Sequence, residues 1–427
     1  MSDRERPRLF IDEVQLSGFK SIDSLKVTLM QGLNILIGKN GSGKSNFLDF
    51  LHQSITSIYK TEEPAFRSAT ISFGSNNGNK LSYSIRRKSL KSLMENPGED
   101  ADPFVQKFRF NDNLVFDTSN DTLPRAIHID GKKYNLGRKA NSLLNRLGYG
   151  IIRSLYIRYE TEKDLLGLDL PASIQIPLSE DADDWDIKVT SPFLSRAIYD
   201  MHYVILEEFY ASHSQNEDVI DRDVEEDPEL DTGDLEIIQH FSAFKADDLI
   251  DRIELDENVK YNLELFSPIK DIRLDGNIRF IKSDTDILND NIQLEFFVNG
   301  RWQSWNHLSD GTKRLFNIIT EVTQKTRGIL LIEEPELGIH PAQFHLLMQF
   351  LKEQSATKQI LISTHSPKAL DILQPDELSR ILIANYDLTK GTQIGRMTEE
   401  QINKAHRFMS EQFLSDYWLM SDLEEDD

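Results

Sequence analysis

The chain has 427 residues, 39% of them hydrophobic and 28% charged, with a formal net charge of -23 at pH 7 and no cysteine. This length and composition predict two or three globular domains and exclude disulfides and thiolate metal sites. No apolar run approaches the roughly 20 residues that span a bilayer, and the charged start lacks the apolar core of a secretion signal, so we expect a cytoplasmic protein with no membrane partner.

The charge is divided unevenly along the chain. Residues 1–170 carry 25 Lys and Arg against 20 Asp and Glu, a net +5, whereas the rest carries 23 against 51, a net -28. Because phosphate neutralisation needs basic residues, only the first part is a candidate for a DNA contact. Solvated loops and hairpin edges are the alternative explanation of its two basic clusters, Arg86, Arg87, Lys88 and Lys91, and Lys132, Lys133, Arg138 and Lys139.

Residues 1–90 predict strands around one helix. The segments "LFIDEVQLSGF", "SLKVTLM", "LNILIG", "ATISFG" and "LSYSIRR" are typical of strands, and a helix is predicted from Lys44 to about Tyr59. We interpret this part as the first half of an α/β domain.

Residues 91–290 are predicted to be an insertion that is largely helical. It contains a hairpin turning on Asp130 and Gly131 and a helix over "FLSRAIYDMHYVILEEFY". Its stretch "EDVIDRDVEEDPELDTGDLE" packs 11 acidic residues into 20 positions, which predicts a solvated acidic loop.

Regular structure returns over residues 291–400. Strands "IQLEFFV", "GILLIEE", "QILIST", "RILIANY" and "TQIGRM" accompany helices that start at Thr312 and Pro341. Apolar strands that alternate with amphipathic helices predict a mixed or parallel sheet covered on both faces, so the two end segments form one α/β domain. Residues 401–427 are predicted to be a C-terminal helix and an acidic tail.

The segment "GKNGSGKS" follows the apolar strand "LNILI" and matches the phosphate-loop pattern G-x-x-x-x-G-K-[ST]. Its glycines let backbone N–H groups surround phosphate oxygens, its lysine reaches the β and γ phosphates, and its serine hydroxyl can ligate Mg²⁺. The motif therefore predicts a site for ATP and Mg²⁺. The predicted nucleotide-binding residues of this loop are Gly38, Asn40, Gly41, Gly43, Lys44, Ser45 and Asn46, of which Ser45 also ligates the metal.

Two later strands end in residues that can act on a phosphate. "GILLIEEPELGIHP" places Glu333 and Glu334 at the carboxyl edge of the sheet, where ligands of α/β folds sit. We predict that Glu333 orients Mg²⁺ or its water and that Glu334 polarises the attacking water. "QILISTHSP" ends at His365, which can sense a γ phosphate. Each feature alone is also typical of a helix start or a structural strand end.

The stretch "WQSWNHLSDGTKRLF" has two interpretations. It is typical of a polar turn that enters a capped helix, with Trp302 and Trp305 packed under the turn. It is also the kind of segment that completes an ATP site in a second copy of a protein, through Ser309 and Gly311.

The order of the phosphate loop, "LSDGTKRLFNII", "LLIEEPELGIHP" and "LISTHSP" resembles the ABC-type ATPase head. Together with "LSGFKSIDSLKV" it is similar to the RecF/SMC/OLD-like group of AAA-type ATPases, over residues 9–87 and 290–400. The resemblance implies that Phe19 and Lys20 lie near the nucleotide. It also implies homodimers or higher oligomers, in which two copies close around two ATP molecules and each offers Ser309 and Gly311 to the nucleotide of the other.

Among stand-alone members of this group, the layout resembles the ATPase subunits of anti-phage defence systems, of the Septu PtuA type or the PARIS type. This resemblance implies an ATP-driven switch that controls a separate nuclease subunit, of the HNH or Toprim kind. The alternatives are a RecF/SMC-like DNA-associated ATPase in repair and a nucleotide-stabilised scaffold with little turnover. The chain departs from the wider pattern at Glu333, where ABC proteins usually have Asp. We expect neither the SMC coiled coil nor the OLD Toprim domain within these 427 residues.

Overall fold

We describe the protein from a computed structural model that covers residues 9–56, 66–76, 78–88, 104–117, 119, 126–129, 132–135, 154–157, 172–177, 188–189, 257–274, 279–283, 286–324 and 329–420. The chain divides into two compact units. The first contains residues 1–158 and 318–427, and the second contains residues 159–317. Strands and helices occur in both, which confirms the predicted mixed α/β class.

The first unit is built on a twelve-stranded mixed sheet with the strand order β10-β18-β19-β3-β20-β21-β2-β1-β4-β5-β6-β7. These strands are β1 (Leu9–Phe19), β2 (Ile22–Thr28), β3 (Leu33–Ile37), β4 (Ser68–Ser75), β5 (Lys80–Arg87), β6 (Phe104–Phe110), β7 (Asn113–Asp117), β10 (Ser154–Ile157), β18 (Ile329–Glu333), β19 (Gln359–Thr364), β20 (Ile381–Asp387) and β21 (Gly391–Arg396). A separate hairpin pairs β8 (Ala126–Ile129) with β9 (Lys132–Asn135), as predicted around Asp130 and Gly131.

The sheet has a parallel half and an antiparallel half. Strands β10, β18, β19, β3 and β20 are parallel to one another. Every residue of β3, β18 and β19 is buried, as expected for strands that are covered on both faces. Strands from β21 to β7 pair antiparallel, and β5 alternates between buried and more exposed residues. One face of the antiparallel half therefore packs on the core and the other is polar.

The helices of the first unit follow the predicted pattern closely. They are α1 (Lys44–Thr56), α4 (Pro341–Gln354), α5 (Glu399–Met409) and α6 (Leu414–Met420), with 3₁₀ segments at Pro367–Ile372 and Pro375–Arg380. Phe47, Phe50 and Leu51 of α1 are fully buried and belong to the main hydrophobic core. Pro341 starts α4, and the Nδ1 atom of His340 accepts a hydrogen bond from the Ala342 amide at 3.3 Å, so His340 caps this helix.

A buried glutamine joins the two halves of the large sheet. The Ile11 amide donates to Gln359 Oε1 at 2.7 Å, and Gln359 Nε2 donates to the carbonyl oxygens of Ile11 and Met30 at 2.8 and 2.9 Å. Because these groups are buried, each bond satisfies a polar atom that would otherwise cost about 1–3 kcal/mol. Gln359 thus connects β1 at the front of the chain to β19 near its end.

The described residues of the second unit form two small antiparallel sheets, the helix α2 and the start of α3. Its strands are β11 (Ala172–Pro177), β12 (Lys188–Val189), β13 (Ile269–Leu274), β14 (Arg279–Lys282), β15 (Asp286–Ile292), β16 (Leu294–Val298) and β17 (Arg301–Ser304). The sheet orders are β12-β11-β15-β14 and β13-β16-β17. The helices are α2 (Glu257–Phe266) and α3 (Asp310–Gln324), and the division between the units falls within α3.

Trp302 and Trp305 of the segment "WQSWNHLSDGTKRLF" both pack in the second unit, as predicted. Trp305 is buried, and its ring lies 5.5 Å from those of Phe296 and Phe316. Trp302 is half-buried between the Phe297 ring at 5.3 Å and the Arg273 guanidinium at 4.1 Å. Aromatic and cation–π contacts of this kind stabilise the turn before α3.

The predicted insertion differs in part from the structure. Strands β6, β7 and β10 fall within residues 91–290, yet they extend the main sheet of the first unit. The described residues of this range form mainly strands, because segments such as "FVQKFRF" and "ASIQIP" have the alternation of strands. The predicted helix over residues 193–210 and the acidic run at 217–236 lie outside the described residues.

Lys358 is a buried cation at the start of β19. Its ammonium group donates to the Val322 carbonyl in the last turn of α3 and to Gln354 Oε1 at 2.9 Å. Burial lowers the pKa of Lys358 from 10.5 to about 8, because desolvation disfavours the charged form. Above that pH the folded chain has released a proton that the unfolded chain still binds, so this lysine makes stability rise with pH between about 8 and 10.5.

We therefore expect the free energy of unfolding to rise, relative to a Lys358→Met variant, by about 2–3 kcal/mol between pH 7.5 and 10. Urea denaturation of both proteins at several pH values measures this difference. Parallel pH profiles for the two proteins would contradict the assignment.

Candidate functional site

The phosphate-loop residues connect the central strand β3 to α1. Gly38 is buried at the end of β3, whereas Asn40 and Gly41 are exposed at the tip of the loop. Gly41 and Gly43 have φ angles of 79° and 95°, a region that favours glycine because it lacks a Cβ atom. A Cβ atom on Gly43 would overlap the Thr392 side chain of β21. The loop is therefore held tightly against β21 on one side and is open at its tip.

Lys44 begins α1 and points back into the loop. Its Nζ atom donates to the carbonyl oxygens of Gly38 and Lys39 at 2.8 and 3.0 Å. The same atom lies 3.2 Å from Nδ1 of His365, at the end of β19. Lys44 is only 4% exposed, so its charge is concentrated at the edge of the sheet where the parallel strands end.

Glu333 and Glu334 occupy the adjacent strand end. Glu333 is the last residue of β18 and is buried. Glu334 has a positive φ of 45°, and its amide donates to the Ser363 carbonyl at 2.8 Å. A non-glycine residue in this conformation costs on the order of 1–3 kcal/mol, and such residues cluster at functional sites. The turn directs the Glu334 side chain toward the end of β19.

His365 links the two motifs. Its Nε2 atom lies 3.0 Å from Glu334 Oε1, and its Nδ1 atom faces the Lys44 ammonium. Because an ammonium group only donates, Nδ1 must accept, and Nε2 then carries the hydrogen that is donated to Glu334. Three residues that are far apart in sequence therefore form one hydrogen-bonded chain, from Lys44 through His365 to Glu334.

The "GFKS" segment packs against α1, the helix that follows the phosphate loop. Phe19 is buried, with its ring 5.8 Å from that of Phe50, and therefore serves packing. Lys20, with a φ of 48°, pairs with Asp49 of α1 at 2.5 Å. Lys20 thus lies beside the middle of α1, and its predicted position near the nucleotide stays a prediction.

Sequence reasoning missed a small hydroxyl cluster next to the loop. The Asn46 side-chain amide donates to Ser21 Oγ at 2.7 Å, and Ser21 Oγ lies 2.7 Å from Thr392 Oγ1. Nothing in the local pattern indicates these contacts, because Ser21 and Thr392 meet only through the pairing of β2 with β21. Glu336 of the acidic motif, for which the sequence predicts no role, also belongs to this site. Its Oε1 atom accepts a hydrogen bond from the His365 amide.

The residues present fit Mg²⁺ bound together with a nucleotide. Ser45 and the buried Glu333 offer a hydroxyl and a carboxylate oxygen, which are ligands that Mg²⁺ prefers. The described residues contain no cluster of three His, Asp or Glu side chains that could hold a metal by themselves. That donor set suits a metal held by one or two protein oxygens together with phosphates and water.

Ser309 and Gly311 lie in the second unit, at the start of α3. Ser309 Oγ accepts from the Thr312 amide at 3.3 Å and lies 2.8 Å from Thr312 Oγ1, so Ser309 caps the helix. The helix therefore begins at Asp310, two residues before the predicted Thr312. The structure brings together Lys44, Glu334 and His365 within the first unit, whereas Ser309 and Gly311 belong to the second unit.

The contrast between two glycines of the loop gives a test of the site geometry. Gly41→Ala adds only the cost of a positive φ, since nothing lies within 4 Å of the new Cβ, whereas Gly43→Ala also displaces Thr392. We expect Gly43→Ala to destabilise the protein by about 2 kcal/mol more than Gly41→Ala in urea denaturation. Adding Thr392→Ala should recover part of that difference, and equal losses for the two glycine variants would contradict the close packing.

Comparison with known proteins places the site in context. Part of the chain is 35% identical over 132 residues to ATP-binding cassette sub-family A member 6 of Mus musculus, which is 30% of this chain and 7% of that protein. Another alignment is 26% identical over 147 residues to chromosome partition protein Smc of Fusobacterium nucleatum, covering 33% of this chain and 11% of that protein. The chain thus spans only a small part of the length of both relatives.

Solved structures of SMC heads resemble the whole chain more loosely. An SmcHead bound to the C-winged helix domain of ScpA gives a TM-score of 0.47 at 14% identity and covers 92% of this chain and 99% of its own. The SMC head domain from Thermotoga maritima gives 0.45 at 11% identity and covers 91% and 99%.

Within the described residues, no helix is both long and apolar enough to cross a membrane. Residues 33–371 match the family described as "AAA domain, putative AbiEii toxin, Type IV TA system". This match spans most of the chain and includes the phosphate loop, both glutamates and His365. The protein therefore belongs to this family of AAA-type ATPases.

Proposed function

We propose that the protein binds ATP with Mg²⁺ at the edge formed by the phosphate loop, β18 and β19, and hydrolyses it. The observation that carries this proposal is the contact chain from Lys44 to His365 at 3.2 Å and from His365 to Glu334 at 3.0 Å. Phosphoryl transfer to water uses a lysine that binds the phosphates and a residue that positions the attacking water. Lys44 and Glu334 are of these two kinds, and His365 contacts both.

In this proposal each side chain has a separate task. Lys44 binds the β and γ phosphates, and in doing so it exchanges its contact with His365 for phosphate oxygens. His365 then remains hydrogen-bonded to Glu334 through its Nε2 hydrogen and holds this carboxylate in place. Glu334 accepts the proton of the attacking water as general base. Ser45 and Glu333 would hold Mg²⁺, which would supply positive charge next to the phosphates.

Glu334→Gln is the direct test of the enzymatic part. The amide keeps the size of the side chain but cannot accept a proton, so we expect turnover to fall about 10²–10³-fold while ATP binding remains. Phosphate release and binding of a fluorescent ATP analogue measure the two quantities. Glu353→Gln, at an exposed position of α4, is the matched control. Equal turnover in the wild type and Glu334→Gln would overturn the assignment of the base.

We further propose that two copies close around two ATP molecules, with the possibility of higher oligomers. Ser309 is exposed at the start of the 15-residue helix α3, and the Gly311 amide lies in its first turn. The N-terminus of a helix favours phosphate because its amides are unpaired and its dipole is positive there. Ser309 and Gly311 would thus meet the γ phosphate held by the partner copy, which makes ATP binding a signal for association.

A charged side chain in place of Ser309 tests this association of two copies. In a Glu334→Gln background that retains ATP, we expect the chain to double its mass on addition of ATP and Mg²⁺, and we expect Ser309→Arg to abolish this change. Light scattering after size-exclusion chromatography measures the mass. Ser410→Arg, at another exposed serine, is the control and should still pair. Loss of nucleotide binding by the Ser309→Arg monomer would contradict a role in the partner's site.

The finer proposal is that this switch controls a separate nuclease, of the HNH or Toprim kind, in bacterial anti-phage defence. Two findings support it: the resemblance to stand-alone ATPases of such systems, and the family description, which names a toxin of a toxin–antitoxin system. Phage challenge of cells that carry the gene and its neighbours, with wild-type or Glu334→Gln protein, tests it. Protection that does not depend on Glu334 would favour a nucleotide-stabilised scaffold with little turnover.

One observation favours the alternative of a DNA-associated ATPase. On the antiparallel half of the sheet, the register places Lys107 beside Ser84 and Arg109 beside Ser82, and Arg86 lies one step further along the same face of β5. Basic and hydroxyl side chains of this kind contact phosphates in protein–DNA interfaces. Salt-dependent binding of duplex DNA that is weakened by Arg86→Ala and Arg109→Ala would support this second function.

A further inference from the structure

Glu336 lies in the turn after β18 and contacts the loop that carries His365. Its Oε1 atom accepts three hydrogen bonds, from Thr364 Oγ1 at 2.7 Å, the His365 amide at 2.8 Å and the Ser366 amide at 3.2 Å. These donors are consecutive residues at the end of β19. A single carboxylate oxygen thus holds the backbone on both sides of the His365 side chain.

The two oxygens of Glu336 are used unequally. Oε1 takes all three bonds, whereas Oε2 is buried without a hydrogen-bond partner among the described residues. A buried carboxylate oxygen without a partner is costly, and such an atom calls for a physical reason. The reason here is geometric, because the side chain is oriented to bring Oε1 within reach of three donors at once.

The turn after β18 and the end of β19 are joined at three places. The Glu334 amide donates to the Ser363 carbonyl at 2.8 Å, the Glu334 carboxylate meets the His365 ring at 3.0 Å, and Glu336 holds the His365 backbone. The first and third contacts fix the main chain on both sides. The imidazole can then rotate only about its own side-chain bonds, between Lys44 and Glu334.

We infer that Glu336 is a positioning residue for hydrolysis, which holds the His365 backbone so that the imidazole can bridge Lys44 and Glu334. This inference rests on the proposed ATPase function and adds to it a residue that acts through His365 without touching the nucleotide.

A purely structural role for Glu336 is the competing explanation. Ser366 precedes the 3₁₀ segment Pro367–Ile372 and makes no side-chain cap of its own, so Glu336 also satisfies an amide at the start of that segment. That role would change stability in proportion to the lost bonds. It would leave the turnover of the folded protein unchanged, and this difference separates the two explanations.

The test compares Glu336→Ala with Glu336→Gln. Alanine removes the accepting oxygen, so we expect kcat to fall about tenfold or more with KM within about twofold, because an interaction needed only in the transition state is lost. Glutamine retains an accepting oxygen and should recover most of the turnover. Glu353→Ala on α4 is the matched control, with wild-type kinetics expected. A larger change in KM than in kcat would overturn the inference.

A double-mutant cycle shows whether Glu336 acts through His365. In a His365→Ala background, Glu336→Ala should cause no further loss of kcat, because the side chain that it positions is already absent. Losses that multiply in the double variant would mean independent action and would overturn the positioning role.

Hydrogen exchange distinguishes failure of this inference from failure of the proposed function. The amides of His365 and Ser366 should exchange faster in Glu336→Ala than in the wild type, and Glu336→Gln should remain close to the wild type. If the wild-type protein hydrolysed no ATP, the ATPase proposal would be overturned. The positioning role of Glu336 in hydrolysis would then be overturned as well. Unchanged exchange in Glu336→Ala would overturn the contact itself, whatever the turnover.

Discussion

The site depends on the parallel, in-register pairing of β18, β19 and β3. Glu333 is paired with Ser363, Ser363 with Leu36, and Thr364 with Ile37. Parallel strands all end on the same edge of a sheet, so this register sets the acidic turn, the His365 loop and the phosphate loop side by side. A shift of one residue in either pair would turn the strand faces over and separate Lys44, His365 and Glu334.

Several features at this edge of the sheet are unfavourable for stability, and the rest of the first unit must compensate for them. Lys44 is buried with its charge, Glu334 has a positive φ, and Gly43 packs directly against Thr392. Conformations of this kind persist only where the surrounding structure determines them strongly. Here the fully buried strands and the Phe47, Phe50 and Leu51 side chains of α1 supply that support. Gln359 adds hydrogen bonds that connect β1 of the antiparallel half to β19 of the parallel half.

Charge and hydrogen bonding at the edge are arranged around His365. The ring faces a cation on one nitrogen and a carboxylate on the other, and its backbone is held by Glu336. One side chain therefore contacts both Lys44 of the phosphate loop and the acidic turn after β18.

The sequence by itself determined the elements and the main chemical groups. Apolar runs such as "LNILI" and "ILLIE" predicted buried strands, and "GKNGSGKS" predicted the loop between β3 and α1, because hydrophobic periodicity and glycine content are local properties. Tertiary structure alone decided which strands pair and which side chains meet. The addition of β10 beside β18, the packing of Thr392 on Gly43, and the hold of Glu336 on His365 all join residues far apart in sequence, and no local pattern encodes such contacts.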